Sequence, residues 1–132
     1  MTTRGTILIA DDETHIVQVL SLKFRNAGFE VFEAHDGEEA LEIARRVRPD
    51  VVVADFQMPF MNGAELAKAL SLDPGLCEVP VMILTARGWG IDEAIASIPN
   101  VRHVESKPFS PRAVLTLIEG MVTEGSGSRK AA

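Results

Sequence analysis

Three acids, one hydroxyl and one amine stand at the ends of short apolar runs in this sequence. Asp11 and Asp12 follow Thr6-Ile7-Leu8-Ile9-Ala10, and Asp55 follows Val51-Val52-Val53-Ala54. Thr85 closes the run from Val79 to Leu84, and Lys107 comes just after Val101 to Glu105. Each feature alone has an ordinary reading. Paired aspartates after a strand often cap a helix, a strand-end threonine is usually structural, and Lys-Pro is usually a surface turn. Brought to one place, however, three carboxylates repel one another unless a cation joins them. Oxygen donors without a Cys/His cluster favour Mg²⁺ over zinc. Mg²⁺ keeps room for waters and a phosphate oxygen. A lysine can pair with a second such oxygen as a point charge, and a hydroxyl can donate to a third. The set therefore suits a metal site with a nucleophilic carboxylate and partners for a transferring phosphoryl group.

The elements between these residues decide whether they can meet. The apolar runs are short and bounded by turn residues, as strands buried on both faces are. Between them the period changes to that of a helix. Ile16, Val17, Leu20 and Phe24 share one face before Gly28; Leu41, Ala44 and Val47 form a second stripe after Asp36; Leu66, Ala67 and Leu70 form a third after Asn62. Asp36 with Glu39, and Asn62 with Glu65, have the spacing of capping boxes. Asp73-Pro74-Gly75 ends the third helix, Ile91, Ile95 and Ile98 mark a short fourth, and Ser110-Pro111 starts a fifth carrying Val114, Leu117, Ile118 and Met121. Glu30 to Ala34 is the remaining strand. Strand and helix thus alternate five times. Right-handed crossovers then predict an α/β, doubly wound parallel sheet with helices on both faces. All the strand C-terminal ends lie along one edge, where such sheets bind ligands.

Composition sets the outer limits. A chain of 132 residues, 46% hydrophobic and 24% charged, can build one domain with a real core. Its net charge of −6 speaks against a broad basic face for nucleic acid or an anionic membrane. No apolar run reaches spanning length, and Met1 to Gly5 is too short and polar for a signal peptide. A single cysteine, Cys77, fits a reducing cytoplasm. We expect a short extension over residues 1–5, a domain over 6–122, and a flexible tail, linker stub or expression scar over 123–132, where Gly125-Ser126-Gly127-Ser128 looks like a linker.

Taken together, Ile9-Ala10-Asp11-Asp12-Glu13, Val53-Ala54-Asp55-Phe56-Gln57-Met58-Pro59, Asn62-Gly63, Leu84-Thr85-Ala86 and Lys107-Pro108-Phe109 resemble the motifs of response-regulator receiver domains of two-component signalling. The resemblance covers about residues 6 to 122. It implies a flavodoxin-like (βα)5 fold with strand order 2-1-3-4-5. It implies that Asp55 accepts a phosphoryl group from a sensor histidine kinase or a histidine phosphotransfer protein. Asp12, Asp11, Asp55 and the backbone carbonyl of Gln57 would hold Mg²⁺, and Thr85 and Lys107 would contact the phosphoryl group. The Lys107-Pro108 bond would be cis. Output would pass through the fourth helix, fifth strand and fifth helix to a protein or effector domain, with a homodimer on phosphorylation as one form it can take. Such a chain would be a phosphorylated switch and not a turnover enzyme.

Three positions depart from or tune that pattern. Relatives usually carry Tyr or Phe three residues before the lysine, and this chain has Val104, which cannot make the same large inward rotation. Gln57 and Arg87, two residues after the acceptor and the threonine, stand where family side chains govern the attacking water and hence signal lifetime. Trp89 is read as a loop anchor, and His15, His35 and His103 as bystanders. Two other readings use the same residues. One is a pseudo-receiver that binds proteins without phosphorylation. The other is a Mg²⁺-dependent aspartyl-phosphate phosphohydrolase, which would want an acid where Gln57 stands.

Overall fold

The computed structural model describes residues 4–86, 95 and 97–131, with side chains described up to residue 122. Strands β1 (Thr6–Ala10), β2 (Glu30–Ala34), β3 (Val51–Asp55), β4 (Val81–Thr85) and β5 (Val101–Ser106) form one sheet. All neighbours run parallel, in the order β2-β1-β3-β4-β5. The described helices are α1 (Thr14–Asn26), α2 (Gly37–Val47), α3 (Gly63–Leu72) and α4 (Pro111–Ala131). The expected helix at Ile91–Ile98 falls mostly outside the described residues. Within it, Ile95 and Ile98 are buried.

Strand alternation divides the core in two. Val51 and Val53 of β3 join Ile7, Ile9, Met82 and Leu84 against Val17, Leu20 and Phe24 of α1 and Val114 and Ile118 of α4. Val52 and Ala54 join Leu8, Ala10 and Ile83 against Ala40 and Ala44 of α2 and Leu66 and Leu70 of α3. Full burial of one such aliphatic or aromatic side chain is worth about 1.5–3 kcal/mol, so each layer has its own anchoring energy.

The helix ends follow local chemistry. After α1, Gly28 takes φ +100° and the Phe29 N–H donates to Phe24 O at 3.1 Å, a Schellman-type stop. Arg48 ends α2 in the left-handed region, directly before Pro49, which disfavours helix in the residue ahead of it. Asn62 and Glu65 form the full capping box. The box expected at Asp36 is only half made. Asp36 accepts from the Glu39 N–H, but the Glu39 carboxylate accepts from the N–H of His35 instead of that of Asp36. At α4, the Ala113 N–H donates to Ser110 Oγ at 3.3 Å.

Two boundaries differ from the sequence reading. β4 begins at Val81 and not at Val79. The Val79 N–H is used in a turn to Leu76 O, and Pro80 has no N–H to give the ladder. The last helix continues to Ala131, through the residues expected to form a tail. Its Gly125, Ser126, Gly127 and Ser128 are weak helix formers, but extending a nucleated helix adds one hydrogen bond per residue fixed.

Candidate functional site

The sheet's C-terminal edge gathers the acids and the lysine. Asp55 is the last residue of the central strand β3 and continues the row of Val51 and Val53. Asp11 follows β1 on the row of Ile7 and Ile9, its N–H still bonded to Ala34 O of β2 at 3.1 Å. Lys107 follows β5, its N–H donating to Thr85 O at 2.7 Å. The Lys107-Pro108 peptide is cis, as the resemblance implied.

Asp11, Asp55 and Thr85 are buried, while Asp12 is exposed. Oxygen atoms of Asp11, Asp12 and Asp55 lie within 4.8 Å of one another. Lys107 Nζ lies 3.3 Å from Asp55 Oδ2, 3.5 Å from Asp11 Oδ2 and 3.0 Å from Glu13 Oε1. Asp55 Oδ1 accepts from the Gln57 N–H at 3.4 Å, and Asp11 Oδ1 accepts from the Glu13 N–H at 2.9 Å. Asp11 Oδ2 is buried and accepts no hydrogen bond.

This arrangement is electrostatically unbalanced. Burial pushes Asp11 up to about 6, with the neighbouring Asp55 charge adding to it and the Glu13 N–H and Lys107 opposing it. Burial also raises Asp55, against the pull of Lys107. Burial alone would lower Lys107, but the hydrogen bond to Glu13 and the charges of Asp11 and Asp55 raise it. One ammonium thus faces an excess of carboxylate. A small hard cation fits that excess: the donors are all oxygen, three carboxylates converge, and one buried oxygen, Asp11 Oδ2, accepts no hydrogen bond and has the Lys107 ammonium 3.5 Å away.

The structure brings Asp11, Asp12, Asp55 and Lys107 together. Thr85 is buried at the same edge, where its carbonyl accepts the Lys107 N–H. Gln57 is exposed beside Asp55, and Val104 lies on β5 with 36% of its surface exposed. Arg87 and Trp89 lie outside the described residues. Glu13 was quoted in the acidic motif but assigned no role; its approach to Lys107 joins positions 94 apart in the chain. A third acid directly after two others is visible in the chain, but no local pattern shows that it meets the lysine.

Gly63 sets the floor of the site. A Cβ there would stand 2.6 Å from Asp55 O and 3.1 Å from Phe56 Cα, and both are backbone atoms. The Gly63 N–H also donates to Phe56 O at 2.9 Å. Gly63→Ala should therefore lever α3 away from the end of β3. We expect a loss of about 1–3 kcal/mol, the usual range for overpacking, read as a lower urea midpoint. An unchanged midpoint would show that the helix start yields freely.

Residues 7–119 match the family described as response regulator receiver domain. The chain is 32% identical over 117 residues to the DNA-binding response regulator MtrA of Mycolicibacterium smegmatis, covering 89% of this chain and 50% of MtrA. It is 34% identical to the alkaline phosphatase synthesis transcriptional regulatory protein PhoP of Bacillus subtilis, covering 88% of this chain and 48% of PhoP. The chain therefore spans about half the length of these relatives. Among solved structures, it resembles the chemotaxis response regulator CheY4 of Vibrio cholerae, with a TM-score of 0.83 at 30% identity over 91% of this chain and 99% of that one. It also resembles the receiver domain of Francisella response regulator 1452, with a TM-score of 0.81 at 30% identity over 91% and 98% of the two chains.

Proposed function

The chain belongs to the response regulator receiver domain family, and from that premise we propose that Asp55 accepts a phosphoryl group from a phosphohistidine of a sensor kinase or phosphotransfer protein. The observation that carries this reading is a buried aspartate ending the central strand with a lysine ammonium 3.3 Å from its Oδ2. In the reaction, an Asp55 carboxylate oxygen forms a bond to phosphorus. The bond from phosphorus to the donor's ring nitrogen breaks, and its electron pair returns to the imidazole. Asp12, Asp11, Asp55 and the Gln57 carbonyl are the groups that would hold Mg²⁺. When bound, Mg²⁺ supplies positive charge that offsets the phosphoryl oxygens and the acidic cluster. Lys107 offers its ammonium to one phosphoryl oxygen, and Thr85 its hydroxyl to another. Each chain takes one phosphoryl group, so it is a switch and not a turnover enzyme.

We assign donor docking to the surface beside Lys107. A cleft beside Lys107 is lined by Ile16, Val19, Pro108, Phe109 and Pro111, and Val19 and Leu22 of α1 are exposed next to it. A donor seated there would meet Asp55 over the sheet edge. Phosphorylation replaces a carboxylate by a group of greater charge with new acceptor oxygens. The pull on Lys107 and Thr85 reaches β5, α4 and residues 87–98, which we assign as the output surface toward an effector. Relatives named as DNA-binding or transcriptional regulators make an effector of that kind the natural partner. We place the exchange in the cytoplasm. Among the described residues, no helix is long and apolar enough to cross a membrane.

The test is intact mass after incubation with acetyl phosphate, with and without Mg²⁺. We expect a gain of one phosphoryl group that requires the metal. No gain, with Mg²⁺ binding shown separately, would transfer the chain to the phosphorylation-independent binding reading.

A further inference from the structure

Among its described partners, Lys107 lies nearest to an acid that neither the acceptor role nor the metal role uses. Its Nζ is 3.0 Å from Glu13 Oε1, against 3.3 Å for Asp55 and 3.5 Å for Asp11. Glu13 is held in place from both sides. Its N–H donates to Asp11 Oδ1, and its carbonyl accepts from the N–H groups of Ile16 and Val17 as α1 begins. The backbone is therefore fixed, and the carboxylate reaches across to the segment after β5.

We propose that Glu13 is a positioning residue that holds the Lys107 ammonium at the rim of the site in the unphosphorylated chain and competes with the phosphoryl group for it. The inference rests on the reading of Asp55 as acceptor. Burial decides which partner yields. The Asp11 and Asp55 side chains are only 1% and 7% exposed, so losing the ammonium would strand a charge away from water. The Glu13 side chain is 46% exposed, and its carboxylate can return to water at small cost. An incoming phosphoryl oxygen therefore displaces Glu13 first. Until it does, the Glu13 contact opposes phosphorylation by about the strength of an exposed ion pair, a factor of about two to five in rate.

Two substitutions separate this from a plain charge effect. Glu13→Gln keeps the side chain's length and removes its charge. Glu13→Asp keeps the charge but withdraws it from Lys107 by one methylene. Competition predicts that both variants take phosphate from acetyl phosphate about two- to fivefold faster than wild type. Easier approach of an anionic donor would accelerate only Glu13→Gln, and that result would overturn the proposal. A second readout needs neither metal nor phosphorylation. Acylation of the Lys107 amine, located by peptide mass, should be faster in both variants. A wild type that gains no phosphoryl group removes the acceptor reading and the competition with it. A wild type that gains it, beside a Glu13→Asp variant unchanged in both rates, removes the competition alone.

Discussion

With Asp55 replaced by asparagine, acetyl phosphate and Mg²⁺ should leave the mass of the chain unchanged. The amide has nearly the same shape as the carboxylate but lacks the charged oxygen that would attack phosphorus. The surrounding shell has little reason to collapse. Lys107 keeps Glu13 and Asp11 as partners, and the Gln57 N–H still has an oxygen to meet. The substitution also removes a charge whose ionisation burial disfavours, since Asp55 is raised above the usual carboxylate range mainly by burial. Stability at neutral pH should therefore be at least that of the wild type. Intact mass and a urea melt on the same sample separate lost chemistry from lost fold. Full phosphoryl uptake by Asp55→Asn would move the acceptor to another carboxylate, with Asp11 and Asp12 the first to examine.

The largest stability effect is expected at Asp11. Its pKa of about 6 in the fold lies above the ordinary 3.8. A carboxyl group raised on folding binds its proton more tightly in the native state, so its ionisation favours the unfolded chain. The penalty is absent below about pH 4, grows between about pH 4 and 6, and is complete above that. At neutral pH it amounts to about 2–3 kcal/mol. Metal-free wild type should accordingly gain about 1 kcal/mol when taken from about pH 7.5 to about pH 5, and Asp11→Asn should gain less. Asp55 is shifted the same way and adds to the trend. Glu13, lowered through its hydrogen bond to Lys107, acts in the opposite sense but at lower pH. Asp11→Asn should also be the more stable protein at pH 7.5, by about 1–2 kcal/mol, less than the full penalty because the new amide stays buried. Urea midpoints across that range are the measurement. Parallel pH profiles for the two proteins would show that Asp11 carries no such penalty.

The regular parts of the fold were legible because two periods alternate cleanly. β1, β2 and β3 occupy the apolar runs read from the chain, and α1 to α3 lie under the stripes. β4 was misplaced at its start because Val79 is as apolar as a strand residue, and only its turn bond to Leu76 gives it away. The acids and the lysine could be found since each stands at the end of a run, and parallel strands end on one edge. The approach of Glu13 to Lys107 could not. It depends on how the start of α1 leans toward the segment after β5, and no local pattern states that angle. Nor could the tight seam at Gly63, where Asn62-Gly63 reads equally well as an ordinary cap. The capping box at Asp36 failed by one residue because Glu39 reaches back to His35.

The sheet's division of the core has a consequence for anyone redesigning the molecule. Val52 and Val53 are neighbours in the chain, yet they belong to different packing problems. The sheet is a wall with a separate room on each side. Volume lost from one room cannot be refilled from the other, because no side chain passes through. Either room can then be repacked as a self-contained puzzle, so long as the wall keeps its register and the rim that carries the acids and the lysine is left alone.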